Sequence, residues 1–461
     1  MELDNKVFAE GKVGKVLFKF SVPTIISSLV AELYNMVDTL FLGRVIGAKG
    51  IDALIVAFPI QRLIIAASVM IAVGASTSAA RSCGEGDYEA MRDTISSALS
   101  LIGVIIIPTV IIIFLFKDNI IRALGASDAI FPYANDYITI VLMGALFQCF
   151  IIVGSYIMMA LGDTKIVLTS TSIGAICNVI LDYLSVVVFS YGVKGAAAST
   201  VISQFISFMY TLKHFIKTKK AYNLSFKFNL KKVFWTQILS TGFTNFVIES
   251  EDGIVVAVLN NLLARHGGDI GITILGITSK ISMFLYVTVI GISSSMQPIA
   301  AYNYGAGDYK RLKEVVKKTT IAVFISSIIV WILAAVFSEQ MIGLFIKDQY
   351  IIEESAKAFR IMIAAFPMLS FYYVSTYYYQ AVGRTKLSFV LSITEQILVV
   401  IPLSFIFLEV FNMGPKGVWI SYPIGDTIVS LISIALLKEW KIRINLKIKK
   451  AAAVKTAVET A

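Results

Sequence analysis

"GEGDYEAMRD" at residues 84–93 is polar, begins with glycine and is flanked by apolar sequence, and it recurs in altered form as "GAGDYKRLKE" at 305–314. The copies stand 221 residues apart, and the same offset carries "LGDTK" at 161–165 onto "VGRTK" at 382–386. A polar turn that returns half a protein later marks an internally duplicated fold.

The apolar flanks decide where that fold lives. Of the 461 residues, 57% are hydrophobic and only 15% charged, with a mean hydropathy of +0.80. Such a chain has too little polar surface to be wetted all round. Twelve runs are long enough to cross about 30 Å of hydrocarbon as helices of roughly 20 residues. They lie near 15–42, 51–81, 90–116, 132–160, 165–190, 193–216, 233–265, 270–304, 310–337, 353–382, 386–412 and 415–438. No strand alternation is present, and a backbone in lipid must satisfy its own hydrogen bonds, so an all-α integral membrane bundle is expected.

Charge orients the bundle. With twelve crossings both termini share one side, and that side carries 28 of the 40 Lys and Arg residues against ten on the other. Arg62 and Lys280 fall inside predicted helices. The excess of positive charge places the termini and the GxGDY loops in the cytoplasm. The formal charge of +10 thus reports topology and anionic lipid, not nucleic acid. No short h-region with a cleavage site precedes the first run, so no removed signal peptide is expected. Cys83, Cys149 and Cys177 read as packing residues, and two histidines, His214 and His266, near predicted helix ends speak against His-based metal or acid–base chemistry.

Each repeat holds six helices, an even number, so the second copy enters the membrane in the orientation of the first. The halves are expected to be lobes related by a pseudo-twofold along the membrane normal, suited to alternating access around a midplane site. The N-terminal lobe would span 1–216, a basic cytoplasmic connection 217–232, the C-terminal lobe 233–438 and a basic cytoplasmic tail 439–461.

Ionisable residues inside a bilayer are costly and point to function. Asp38, Asn178, Asp182 and Thr200 fall at similar heights in the outer half of the first lobe, by a rise of about 1.5 Å per residue. Their oxygens suit a small hard cation, and the same carboxylates could instead bind a proton. The second copy has Ala257, Val399 and Leu403 where the first has Asp38, Asn178 and Asp182. A different pattern survives in both halves, with Glu32 and Arg62 matched in depth on adjacent helices and Glu251 and Lys280 at equivalent positions. Two intramembrane ion pairs are expected there. In "VIESEDGIVV" at 247–256, Glu249 and Asp252 share a face away from Glu251 and are candidates for an organic cation or a proton. Tyr373 and Tyr377, in "FYYVSTYYYQ" at 371–380, could add cation–π and stacking contacts, although Tyr-rich helix ends also form interfacial belts.

These stretches resemble a known family. "SVPTIISSLVAELYNMVDTLFLGRVIG" at 21–47, "QPIAAYNYGAGDYKRLKE" at 297–314 and "RSCGEGDYEAMRD" at 81–93 are similar to multidrug and toxic compound extrusion (MATE) transporters, especially the bacterial MepA- and DinF-like branch. The resemblance covers roughly residues 10–445. It implies export of amphipathic, often cationic compounds driven by inward Na+ or H+, with Asp38, Asn178, Asp182 and Thr200 matching the cation site of DinF-like members. Glu249 resembles the acid that MepA-like members carry in the seventh helix. The tenth helix departs from the NorM-like pattern because it offers no carboxylate. The expected protein is a multi-pass plasma-membrane monomer of a bacterium, with no cofactor beyond the coupling ion. Two alternatives are a lipid-linked oligosaccharide flippase, which would favour a basic cleft, and an intramembrane enzyme, for which no nucleophile–His arrangement, HExxH or phosphate loop is present.

Overall fold

In the computed structural model the described residues are 6–163, 165–224, 228, 229, 231–266, 268–346 and 348–459, with some helical side chains, that of Asp252 among them, outside the description. Twelve long helices account for most of them. They are α1 Val13–Val45, α2 Ala48–Glu85, α3 Tyr88–Ala123, α4 Phe131–Ala160, α5 Ile166–Val188, α6 Gly192–Tyr222, α7 Lys232–His266, α8 Gly268–Gly305, α9 Tyr309–Val336, α10 Gln349–Ala381, α11 Thr385–Val410 and α12 Lys416–Glu459. The architecture is the expected all-α membrane bundle of two six-helix halves, with no strand among the described residues.

Ten of these helices are long and apolar enough to cross a membrane. The other two, α6 and α7, have the length but carry polar faces. In α6 the polar groups form a buried stripe through Ser199, Ser203, Ser207 and Thr211. Those hydroxyls are satisfied locally or by a neighbour: Ser199 Oγ donates to Gly195 O at 2.9 Å, Thr211 Oγ1 to Ser207 O at 2.8 Å, and Ser207 Oγ to Ser170 O of α5 at 2.7 Å. A helix can therefore span lipid with a polar face when protein covers it.

The repeated turns are built alike. Gly86 and Gly307 close α2 and α8 at φ of 76° and 69°, a region that excludes most side chains. Asp87 then accepts a hydrogen bond from Ala90 N, and Asp308 from Arg311 N, each at 2.9 Å, capping α3 and α9. Asp87 N donates to Ser82 O, and Asp308 N to Asn303 O, each at 3.0 Å. Prolines account for two of the irregular stretches. The π-helical turn Ile102–Ile106 precedes Pro108, and Thr394–Val400 precedes Pro402, each proline lacking the N–H that a regular α-helix would use.

Contacts divide the chain into two compact units. One comprises Pro23–Ser250 with the short helix Lys6–Glu10, the other Gly11–Val22 with the chain from Glu251 onward. The division falls inside α7, not in the 217–232 connection. Within the first unit, the early part of α7 lies against α2 through a reciprocal glycine contact. A Cβ at Gly74 would sit 2.0 Å from Ile238 O, and one at Gly242 would sit 1.8 Å from Met70 O. Only hydrogen fits there, so the two backbones approach as closely as helices can. The second unit has an apolar cluster around Leu259, Leu263, Leu275, Val418 and Trp419.

Candidate functional site

The first unit brings together the four residues expected to hold a cation. Asp38 of α1, Asn178 and Asp182 one turn apart on α5, and Thr200 of α6 are all buried, the last three completely. The Asp38 and Asp182 carboxyls stand within hydrogen-bonding reach of one another. Asn178 Nδ2 donates to Thr200 Oγ1 at 3.5 Å, and Thr200 Oγ1 donates to Ala196 O at 3.0 Å. Asp38 Oδ1, Asn178 Oδ1 and both carboxyl oxygens of Asp182 are buried without a hydrogen-bond donor. Two facing carboxylates with three orphaned oxygens, beside the orphaned amide oxygen of Asn178, call for a cation or a proton, because buried acceptors without donors are strongly disfavoured. The donor set fits a small hard ion in number and kind.

Sequence reasoning missed the aromatic wall of this site. Tyr34, one turn before Asp38, and Tyr137 of α4 are within hydrogen-bonding reach of Thr200, and Tyr137 also reaches Gln61. The i, i−4 spacing of Tyr34 and Asp38 was the available signal.

The intramembrane ion pair differs from expectation. Arg62 Nη1 bonds Glu249 Oε2 at 3.0 Å, not Glu32. Glu32 stands within electrostatic range of both Arg62 and Glu249. The reason is the glycine contact, which lays α7 along α2 and carries Glu249 to the guanidinium. Arg62 also sits over the Phe58 ring, 5.2 Å from its centroid. Glu249 is therefore a paired acid, and Tyr156 lies within its range.

In the second unit Glu251 is buried, whereas Lys280 is exposed, and no ion pair joins the two. Asp252 lies outside the described side chains. Tyr373 and Tyr377 are 7% and 5% exposed, so the Tyr-rich stretch is interior rather than an interfacial belt. Tyr373 meets Tyr286 edge-on at 6.3 Å and Tyr372 at 4.8 Å. Two further acids, Glu395 of α11 and Asp426 of α12, are 3% and 2% exposed and within electrostatic range of each other. Gly425 permits this closeness, since a Cβ there would meet Glu395 O at 3.4 Å and Val400 Cγ2 at 2.7 Å. Their signal in the sequence was a lone acid near the centre of each apolar run.

The chain matches the MatE family over residues 23–184 and 252–406. The multidrug export protein MepA of Staphylococcus aureus (strain bovine RF122 / ET3-1) is 24% identical over 433 residues, covering 93% of this chain and 94% of that protein. MepA of Staphylococcus saprophyticus is 24% identical over 447 residues, covering 96% and 97%. A crystal structure of MATE in complex with MaD3S superposes with a TM-score of 0.89 at 22% identity, covering 97% of this chain and 99% of that one. With the family matched over most of both halves and the twelve-helix fold shared, this chain belongs to the MATE family of membrane transporters and is not an enzyme.

Proposed function

We propose that this chain is an antiporter that exports amphipathic, often cationic compounds across a bacterial plasma membrane in exchange for inward Na+ or H+. The observation that carries the reading is the buried Asp38–Asp182 pair with its orphaned oxygens and the Asn178 and Thr200 oxygens beside it. A group of this kind changes state when an ion enters. With the ion bound, the carboxylates are held together; without it, two like charges in low dielectric repel and the α1–α5 packing is disfavoured. The ion therefore has different affinity for conformations that keep α1 on α5 and conformations that part them. That difference is what couples its flow to alternating access by the two lobes. The charge bias of the loops supports cytoplasmic termini, and the positive fringe supports contact with anionic lipid. The reading needs only one copy of the chain.

The test is efflux of ethidium from proteoliposomes under an imposed Na+ or H+ gradient. Wild type should respond to one gradient, and Asp38→Asn or Asp182→Asn should lose that response while eluting as folded protein. Gradient-driven efflux that persists at the wild-type rate in both variants would remove these residues from the coupling site.

A further inference from the structure

The first unit contains a second charged cluster, chemically unlike the Asp38 site. Glu249 and Arg62 have side chains 30% and 23% exposed, and Glu32 is half-buried beside them. These groups are partly exposed, whereas Asp38 and Asp182 are enclosed. The cluster holds two carboxyl groups and one guanidinium, with Glu32 in electrostatic range of both Arg62 and Glu249. The guanidinium is bound as an organic cation would be bound: a carboxylate at 3.0 Å on one side, the face of Phe58 at 5.2 Å on another, and a second carboxylate within range. Guanidinium is planar, delocalised and weakly hydrated, properties it shares with aromatic and amphipathic monocations.

We propose that Glu249, Glu32 and Phe58 form a recognition site for organic monocations in which Arg62 is a tethered competitor that an arriving substrate must displace. The proposal rests on the reading of the chain as an exporter of cationic compounds and specifies which residues meet the substrate. A tethered group competes at a high effective concentration. It keeps the acids paired when no substrate is present, and it weakens the affinity of every cation that enters. Displaced from Glu249, the Arg62 side chain still belongs to α2, so substrate binding breaks the charged bond that Arg62 and Glu249 make between α2 and α7. Removing the competitor should tighten binding, the reverse of what loss of a contact residue does.

The experiment measures binding of tetraphenylphosphonium, a permanent monocation, to purified full-length protein at pH 8, with neutral triphenylphosphine oxide as control. Arg62→Ala should bind the phosphonium on the order of tenfold more tightly than wild type, and Arg62→Gln should do the same if the alanine variant folds poorly. Arg62→Lys should return affinity toward wild type, adding Glu249→Gln to Arg62→Ala should abolish the gain, and the neutral control should not change. Folded Arg62→Ala and Arg62→Gln that bind the phosphonium no more tightly than wild type would overturn the proposal. Gradient-driven phosphonium transport by wild-type proteoliposomes separates the two levels. If transport is present while the affinities fail to rise, only this assignment falls; if wild type transports none, the exporter reading falls and takes the assignment with it.

Discussion

Gly242→Ala should loosen the protein at a distance from the residue changed. The added Cβ would stand 1.8 Å from Met70 O and 2.6 Å from Met70 C, whereas an ordinary contact needs about 3.2 Å. The α2 and α7 backbones must therefore part by roughly 1.4 Å. Glu249 lies seven residues beyond Gly242, close to two full turns, so it shares the face that moves. A parting of that size takes the 3.0 Å Arg62–Glu249 bond beyond the length of an ion pair. Overpacking costs about 1–3 kcal/mol, and a partly exposed ion pair adds up to about 1 kcal/mol. For a chain of 461 residues the thermal midpoint should fall by roughly 1–4 °C, read from the fluorescence of the four tryptophans during heating. Gly276→Ala is the control, because nothing lies within 4 Å of a Cβ there; it should leave the midpoint unchanged or raise it by the amount expected of about 0.5–1 kcal/mol. Equal midpoints for Gly242→Ala and Gly276→Ala would refute the argument that backbone proximity positions Glu249.

The cap at each repeated turn should contribute about 1 kcal/mol. Asp87→Ala and Asp308→Ala are expected to lower the midpoint by similar amounts, with Asn at either position restoring most of it; a loss confined to one of the two would show that the turns are not equivalent. Asp426→Asn removes one of two buried acids that face each other across Gly425 and should raise the midpoint, since neutralising a like-charge neighbour in low dielectric relieves repulsion. A lower midpoint for that variant would mean that its charge is compensated in the folded state.

The elements were legible in the sequence because their causes are local. Twelve apolar runs become twelve helices, and Gly86 with Asp87, like Gly307 with Asp308, needs only its own neighbours to form a turn and a cap. The Asp38 group was legible for a related reason. Depth along a helix follows from counting residues, and four polar groups of equal depth in one lobe had few places to go. Partner choice was not legible. Counting gave Glu32 and Arg62 the same height, but Arg62 bonds Glu249 because Gly74 and Gly242 draw α7 onto α2, a contact between residues 168 apart. Glu395 and Asp426 were not legible from the repeat because they belong to the second half alone, with Gly174 and Phe205 at the equivalent places of the first.

The duplicated frame consequently holds chemistry that is not duplicated. On the 221-residue offset, Asp182 corresponds to Leu403, and Glu395 corresponds to Gly174. Glu395 and Leu403 are eight residues apart on α11, about 12 Å along the axis. Glu395 thus stands about 12 Å from the place on α11 that corresponds to Asp182 on α5. Neither half can substitute for the other. At the height of the Asp38 group the second half offers Val399 and Leu403, which have no side-chain oxygen for a hard cation, so a neutralised Asp182 has no equivalent to take over its ion. Under the proposed mechanism, loss of coupling in Asp182→Asn should therefore be complete rather than halved, and restoring an acid at the equivalent place, as in Leu403→Asp, should not rescue it, because Val399 offers no oxygen in place of Asn178 and Ser421, which stands where the first half has Thr200, is already engaged with Ser404 Oγ and Gly417 O, each at 2.8 Å.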